Sequence, residues 1–390
     1  VLENDYTGRI GEKVTTSSIG EVVTAYVPRP LPPSPPIDTS QLSVLTSDAM
    51  LALGRLDGLR ALVPDTPLFI YMYVRKEAVL SSQIEGTQSS LSDLLLYENE
   101  AAPGAPMDDV EEVSTYVAAL NHGLNRIAGG FPLSMRLLRE MHEILLSTGR
   151  GSAKQPGEFR TSQNWIGGTR PGNALFVPPP PERVLGCMSD LEAFLHEKKS
   201  GLPVLIKAGI AHVQFETIHP FLDGNGRLGR LMITLFLCAE GILEEPLLYL
   251  SLYLKTHREQ YYALLQEVRE YGRWETWLEF FLTGITEVAT QANNAARNIS
   301  KLFSEDAAKI ARLGRAAPMA RTMHEALQRR PILTVASAAK AGNTTFPTAN
   351  NALEKLEELG IISEITGKKR GRIYAYTTYL DIMNEGTEPL

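Results

Sequence analysis

Cysteine is nearly missing from this chain, with two in 390 residues, Cys187 and Cys238. Neither lies in a CxxC pair, which excludes a zinc framework or a disulfide scaffold and fits a reducing compartment. A surplus of positive charge is missing too. The net charge is −7, which argues against a surface coated for non-specific nucleic-acid binding, though a small basic module is still allowed. There is no run of about 18 apolar residues, so no membrane-spanning helix is expected. Val1 to Tyr6 lacks the basic and apolar regions of a signal peptide. The chain is therefore expected to be cytoplasmic and to have no membrane partner. What is present is ordinary for a globular protein, with 44% hydrophobic and 21% charged residues. The length implies two or three domains, and no internal repeat is visible.

Residues 28 to 36 read Pro-Arg-Pro-Leu-Pro-Pro-Ser-Pro-Pro. Proline fixes its own torsion and offers no donor, so residues 1–40 are expected to form an extended arm. The pattern then turns helical, with apolar residues three and four apart. Ser47 or Asp48 is the expected cap of a helix through Leu51, Leu53, Leu56 and Leu59. Further helices are expected over Leu68–Ser81, Ser89–Tyr97, Asp108–Gly123, Leu133–Leu146, Pro181–Lys198, Leu202–Thr217, Arg227–Glu240, Thr256–Tyr271 and Trp274–Phe303. Residues 156–181 differ. Asn164–Gly168 and Ala174–Val177 are strand-like runs around a Gly- and Pro-rich turn, which reads as a β-hairpin. The last 75 residues read as three helices, Met319–Gln328, Val335–Ala341 and one from a Thr348 cap to Gly360. Alternating runs at Ile361–Ile365 and Arg372–Tyr376 follow, around a turn at Gly367–Gly371. This is a winged-helix pattern.

The chemistry concentrates in His219-Pro-Phe-Leu-Asp-Gly-Asn-Gly-Arg-Leu-Gly-Arg230. Asp223-Gly224-Asn225-Gly226 suits a turn in which backbone N–H groups converge as an anion nest. Leu228, Leu231, Met232, Leu235 and Phe236 make the next segment a helix, so the nest opens onto a helix N-terminus with its positive dipole end. Arg227 and Arg230 stand three apart and share a face. Two guanidiniums with backbone donors make a phosphate site. Asp223 can hold Mg²⁺ beside substrate phosphates, and His219 is the natural general base. A rival set, His212, Glu216, His219 and Asp223, recurs at four, three and four and could ligate a transition metal. Pro220 interrupts that helix, however, and the nest and arginines would then have no task.

The segment resembles the signature of the Fic family, HxFx(D/E)GNGRxxR, at every specified position. Residues 110–290 resemble a Fic domain. The fold class this implies is mainly α: a Fic-type helical core with a β-hairpin flap, plus a small winged helix-turn-helix domain. The expected units are an arm (1–40), an N-terminal helical region with an inhibitory helix (41–109), a Fic domain (110–300) and a winged helix (315–385). Members mostly transfer AMP from ATP to a Tyr, Ser or Thr side chain of a protein. Carried over by position, His219 deprotonates the target hydroxyl and Asp223 holds Mg²⁺ or Mn²⁺. Gly224, Asn225 and Gly226 hold phosphates through backbone donors and the Asn side chain. Arg227 contacts the phosphate chain, and Arg230 holds the γ-phosphate. The flap, with Asn164, Trp165, Ile166 and Gly167 beside the ATP, would align a target segment as an added strand. Tyr261 and Tyr262 resemble a pair that lies near the adenine.

Residues 81–86, Ser-Ser-Gln-Ile-Glu-Gly, resemble the family's inhibitory (S/T)xxxE(G/N) motif through Ser81, Glu85 and Gly86. If Glu85 pairs with Arg230, the γ-phosphate loses its partner and meets a negative charge. Some members also remove AMP. Thr344, Thr345, Thr348, Asn350 and Asn351 could reach base edges, and Lys368, Lys369, Arg370 and Arg372 could meet phosphates. Against this, Glu354, Glu357 and Glu358 share the presumed reading helix, so protein contact competes equally with DNA. The expected function is an ATP-dependent protein adenylyltransferase that is autoinhibited by Glu85. Its target is another protein or itself, and the arm and winged helix offer surfaces for a homodimer. The alternatives are a nucleotide-sensing DNA-binding regulator without transferase activity, or uridylyl or phosphocholine transfer.

Overall fold

The computed structural model describes residues 6–58, 66–98, 107–198, 201–368 and 370–389. Its first element corrects the expected extended arm. β1 (Glu12–Ser18) and β2 (Glu21–Val27) pair antiparallel, with Glu12 opposite Val27 and Ser18 opposite Glu21. The turn residues Ile19 and Gly20 have φ of 51° and 77°, the mirror-image turn whose twist suits a two-residue hairpin. The β-branched residues Val14, Thr15, Thr16, Val22 and Val23 carried this signal. The proline-rich segment beyond it has neither helix nor strand. It is tied down by Arg9, which donates to Pro35 O and Pro36 O and pairs with Glu275 at 2.7 Å.

The helices then follow largely as their periodicity implies. They are α1 (Ser43–Gly58), α2 (Thr66–Ile84), α3 (Leu91–Tyr97), α4 (Met107–Ala128), α5 (Met135–Leu145), α6 (Pro181–His196), α7 (Val204–Ile218) and α8 (Asn225–Ala239). Local chemistry sets several boundaries. Ser90 and Asp93 form a reciprocal capping box at α3, Ser134 caps α5, and Pro181 opens α6. α1 starts at Ser43, ahead of the expected cap, and Leu59 lies outside the described residues. The expected helix over Thr256–Tyr271 is α10 (Arg258–Tyr271), and a short helix before it, α9 (Ser251–Thr256), went unread, with His257 between the two. α11 (Trp274–Ile310) is 37 residues long and outruns the expected end at Phe303. The expected hairpin at 156–181 is reduced to an isolated antiparallel bridge, Ile166 with Phe176. Its outer side already meets β2, since Tyr26 N–H donates to Val177 O at 2.9 Å.

The C-terminal part holds α12 (Ala317–Arg329), β3 (Ile332–Thr334), α13 (Val335–Ala341), α14 (Phe346–Glu358), β4 (Ser363–Glu364), β5 (Ile373–Ala375) and α15 (Thr377–Asn384). The sheet order is β3-β5-β4, all antiparallel. Three helices with a small wing match the expected pattern, while β3 and α15 went unread. Thr345, not Thr348, precedes α14. Arg372 in the wing pairs with Glu354 of α14 at 2.8 Å, and Lys369 lies outside the described residues. α11 links the two parts. Tyr73 of α2 donates to Ala292 O at 2.7 Å, and Tyr376 donates to the buried Asp306 at 2.6 Å. Among the described residues no helix is long and apolar enough to cross a membrane.

Candidate active site

α7 is buried on every side, so its C-terminus is held rigidly. It stops at His219, whose φ of 48° and ψ of 60° place it in the left-handed region, with Pro220 preventing continuation. Arg160, almost fully buried, secures this break. Its guanidinium donates to the carbonyls of His219 (2.9 Å), Pro179 (2.5 Å) and Ile218 (3.4 Å). Its own N–H donates to Pro220 O at 2.9 Å. Nothing in the motif pointed to Arg160. Phe221 is buried and stacks on the His142 ring at 3.7 Å. His142 accepts the Gly157 N–H at Nδ1, so its Nε2–H is left to donate to Asp223 O, both at 2.9 Å. Burial pushes His142 down to about 4, which keeps it neutral for that role. His142 was also unread, because its partners lie far along the chain.

Asp223 and Gly224 lead into α8, with Gly224 at φ 75°. The Asn225 side chain bonds both the N–H and the C=O of Phe221 at 2.9 Å. These two bonds lock the loop. Arg227 also points inward. It is buried against Glu112 at 2.8 Å, with Asp223 at 3.6 Å. Asp223 keeps 35% of its side chain exposed. Its Oδ1 accepts the Gly224 N–H at 2.6 Å, while Oδ2 lies close to the Gly151 backbone. A hard cation fits this carboxylate. Among the described residues no cluster of three His, Cys, Asp or Glu could hold a metal. His212 is instead a core residue that donates from Nδ1 to Gly229 O and accepts the Tyr261 hydroxyl.

Burial, with Arg160 and Arg269 adding to it, pushes His219 down to about 3. Its imidazole is therefore neutral at pH 7 and able to accept a proton. Arg230 is almost fully buried. It donates from Nε to Ser81 Oγ (2.8 Å), and from Nη2 to Ser81 O (2.9 Å) and Glu85 Oε1 (2.7 Å). Burial alone would raise the Glu85 carboxyl, but Arg230 brings it below its ordinary value. Glu85 also presses on the nest itself, since a methyl group added at Gly226 would collide with its Oε1. Gly86, at φ 101°, turns the chain away just after α2. Arg150, another residue the motif did not announce, reaches Glu112 at 3.3 Å and Glu85 O at 3.4 Å.

The remaining expected residues lie around this centre. Asn164 donates to Phe221 O at 3.0 Å, which ties the reduced hairpin to the motif. Trp165 packs on the small cluster of Val23, Ala25 and Val177. Ile166 forms the bridge, and Gly167, at φ 67°, lies against Leu175. Tyr261 is fully buried against His212 and Trp277, whereas Tyr262 is 40% exposed.

A helix N-terminus after a left-handed glycine, a neutral histidine before it and a carboxylate on the arginine that ends the motif stand together here. Residues 132–237 match the Fic/DOC family model, and residues 44–125 match the model of that family's N-terminal region. This chain is a Fic/DOC family protein. It is 31% identical over 191 residues to a protein adenylyltransferase Fic of Aedes aegypti, covering 48% of this chain and 35% of that one. A Drosophila yakuba protein of the same name is 27% identical over 239 residues, covering 60% and 44%. The chain thus spans less than half the length of these relatives. A Fic family crystal structure from Desulfovibrio desulfuricans G20 shares the fold, with a TM-score of 0.59, 20% identity and coverage of 88% of this chain and 97% of that one.

Proposed function

We propose that this protein is an adenylyltransferase that moves AMP from ATP onto a Tyr, Ser or Thr hydroxyl of a protein, and that Glu85 holds it off. The observation that carries the reading is the Arg230–Glu85 pair at 2.7 Å, over the nest at Gly226. The target hydroxyl gives its proton to His219. Its oxygen bonds to the α-phosphorus, the bond to the β-phosphate oxygen breaks, and pyrophosphate leaves. His219 is neutral, so a ring lone pair is free to take that proton, and the phosphate charge of bound ATP would raise its basicity. The nest N–H groups and a freed Arg230 would stabilise the charge on the departing phosphates. Mg²⁺ or Mn²⁺ at Asp223 would neutralise phosphate charge when bound.

The brake follows from electrostatics. While Glu85 occupies Arg230, a γ-phosphate finds no guanidinium and faces a carboxylate, so ATP settles away from the geometry for in-line attack. Displacement by about 1 Å costs roughly 100-fold in rate. In this reading residues 41–109 carry the brake, 110–300 the chemistry, and 315–385 a winged helix for contact with DNA or protein. Acceptors include this chain itself, and a homodimer would supply one in trans. With radioactive ATP, Glu85→Gly should label acceptor protein and itself about 100-fold more than wild type. His219→Ala should be silent in both backgrounds. Equal labelling by wild type and Glu85→Gly would overturn the brake, and labelling by His219→Ala would overturn the base.

A further inference from the structure

Behind α7 lies a cavity of about 390 Å³ between that helix, α10 and the N-terminal hairpin. That volume is within the range of small-molecule sites. Val213, Gln214 and Thr217 line it, whereas His212, Phe215 and Glu216 face Gly229 on the other side of the helix. No residue of the His219–Arg230 motif lines it.

Its chemistry is unbalanced. Arg269 is 7% exposed. It donates to Thr217 Oγ1 (3.1 Å), Glu216 O (3.2 Å) and Gln266 Oε1 (3.5 Å), and stacks on the Phe176 ring at 4.0 Å. None of these partners is a carboxylate. The other buried arginines near the site differ: Arg9, Arg227 and Arg230 each hold a carboxylate at 2.7–2.8 Å. The Glu216 carboxyl acts on Arg269 through space, but burial pushes that carboxyl up to about 7, so its counter-charge is incomplete, and an incompletely balanced buried charge is costly. Arg29 also lines the cavity, with its Nε spent only on Ile10 O. Both guanidiniums act electrostatically on the Tyr26 phenol beside them. Trp274 adds an indole N–H that is buried with no acceptor. No Asp or Glu lines the space. Two unpaired guanidiniums and an unused N–H, set among prolines and aromatic rings, require an acceptor that brings negative charge and an apolar body.

We propose that this cavity binds a small organic anion, a carboxylate or phosphate monoester on a ring or hydrocarbon body, with its acid group on Arg269 and Arg29 and its body against Trp274 and the proline-rich segment. Guanidiniums bind both acid groups bidentately, so the two are separated by titration. Calorimetry on the full chain should use phenyl phosphate, benzoate and inorganic phosphate as probes. One aromatic probe should bind one-to-one with submillimolar affinity, at least tenfold tighter than inorganic phosphate. The tighter of the two names the acid group. Arg29→Gln, an exposed change that leaves folding intact, should weaken binding tenfold or more, and Arg269→Gln should abolish it. Saturating ATP with Mg²⁺ should leave binding unchanged. Binding weaker than millimolar by both aromatic probes, equal binding by Arg29→Gln, or displacement by ATP would overturn the proposal. None of these readouts needs transferase activity, so a failure here is separate from a failure of the His219 chemistry.

Discussion

Each side chain at the centre is held by a partner chosen for one physical reason. Arg160 is the clearest case, since its guanidinium answers the Ile218 and His219 carbonyls that the broken helix would leave orphaned in the interior, together with Pro179 O from the neighbouring loop. Arg160→Leu removes those donors while the carbonyls stay buried. It is expected to cost ~2–5 kcal/mol of stability, read as a lower midpoint in urea denaturation. The neutral state of His219 makes a second prediction. A general base works when unprotonated, so its activity persists above its folded pKa and falls only as pH drops through that value. With burial holding His219 near 3 in the unliganded protein, its ring should stay neutral from pH 8 to pH 5, as followed by NMR of the imidazole in nucleotide-free protein. Loss of the Glu85 carboxylate takes away an influence that raises this pKa, so Glu85→Gly should behave alike. A midpoint near 6.5 without nucleotide would mean that His219 titrates as a solvated imidazole, whereas bound ATP, a polyanion, would raise the value.

At the scale of elements, α2 is fastened at points distant from Glu85. Lys76 of α2 donates to Glu385 O and Gln83 donates to Thr387 O, both at 2.8 Å. Lys255 reaches Gly386 O at 3.2 Å and also Glu388 O, and Thr387 is buried. The segment after α15 therefore ties α2 to α9. Removing residues 385–390 should speed amide hydrogen exchange through residues 76–84 and raise AMP transfer severalfold, short of the Glu85→Gly level. Unchanged exchange in α2 would show that helix packing alone holds it. In the winged-helix part, Arg372 is already spent on Glu354, so the wing carries less free positive charge than its sequence suggests.

Across the whole molecule, α11 acts as a spine. Its Trp277 and Phe281 are buried in the helical core, and its Asp306 receives Tyr376 of the C-terminal part. Two parts that share one helix and a returning tail should unfold together. Calorimetry is expected to give a single transition, and two resolved transitions would show that α11 does not couple them. Tyr376→Phe removes the hydroxyl donor from Asp306, whose remaining side-chain partner is Lys309 at 2.6 Å, and should cost ~1–3 kcal/mol.

Much of this was legible from order and spacing. Apolar periodicity marked most helices, and local breakers marked the nest, because both depend on torsions set by neighbouring residues. The hairpin β1–β2 was also local, but its signal was outweighed by the prolines that follow it. Other features could not be read. Nothing near Arg160, His142 or Arg150 in the chain announces a role, since each acts on groups brought close only by packing. The extra helix α15 and strand β3 are short, and tertiary contacts stabilise them where intrinsic preference is weak.

The sequence by itself determined the turn that opens α8, the histidine before it and the family signature, because twelve consecutive residues carry them. The tertiary structure decided which charges are paired. Arg230 meets Glu85 across 145 positions, Arg227 turns inward to Glu112, and Arg269 is left without a carboxylate. Pairing between buried charges depends on distance in space and on the loss of water around them, and neither is encoded in the spacing of residues along the chain.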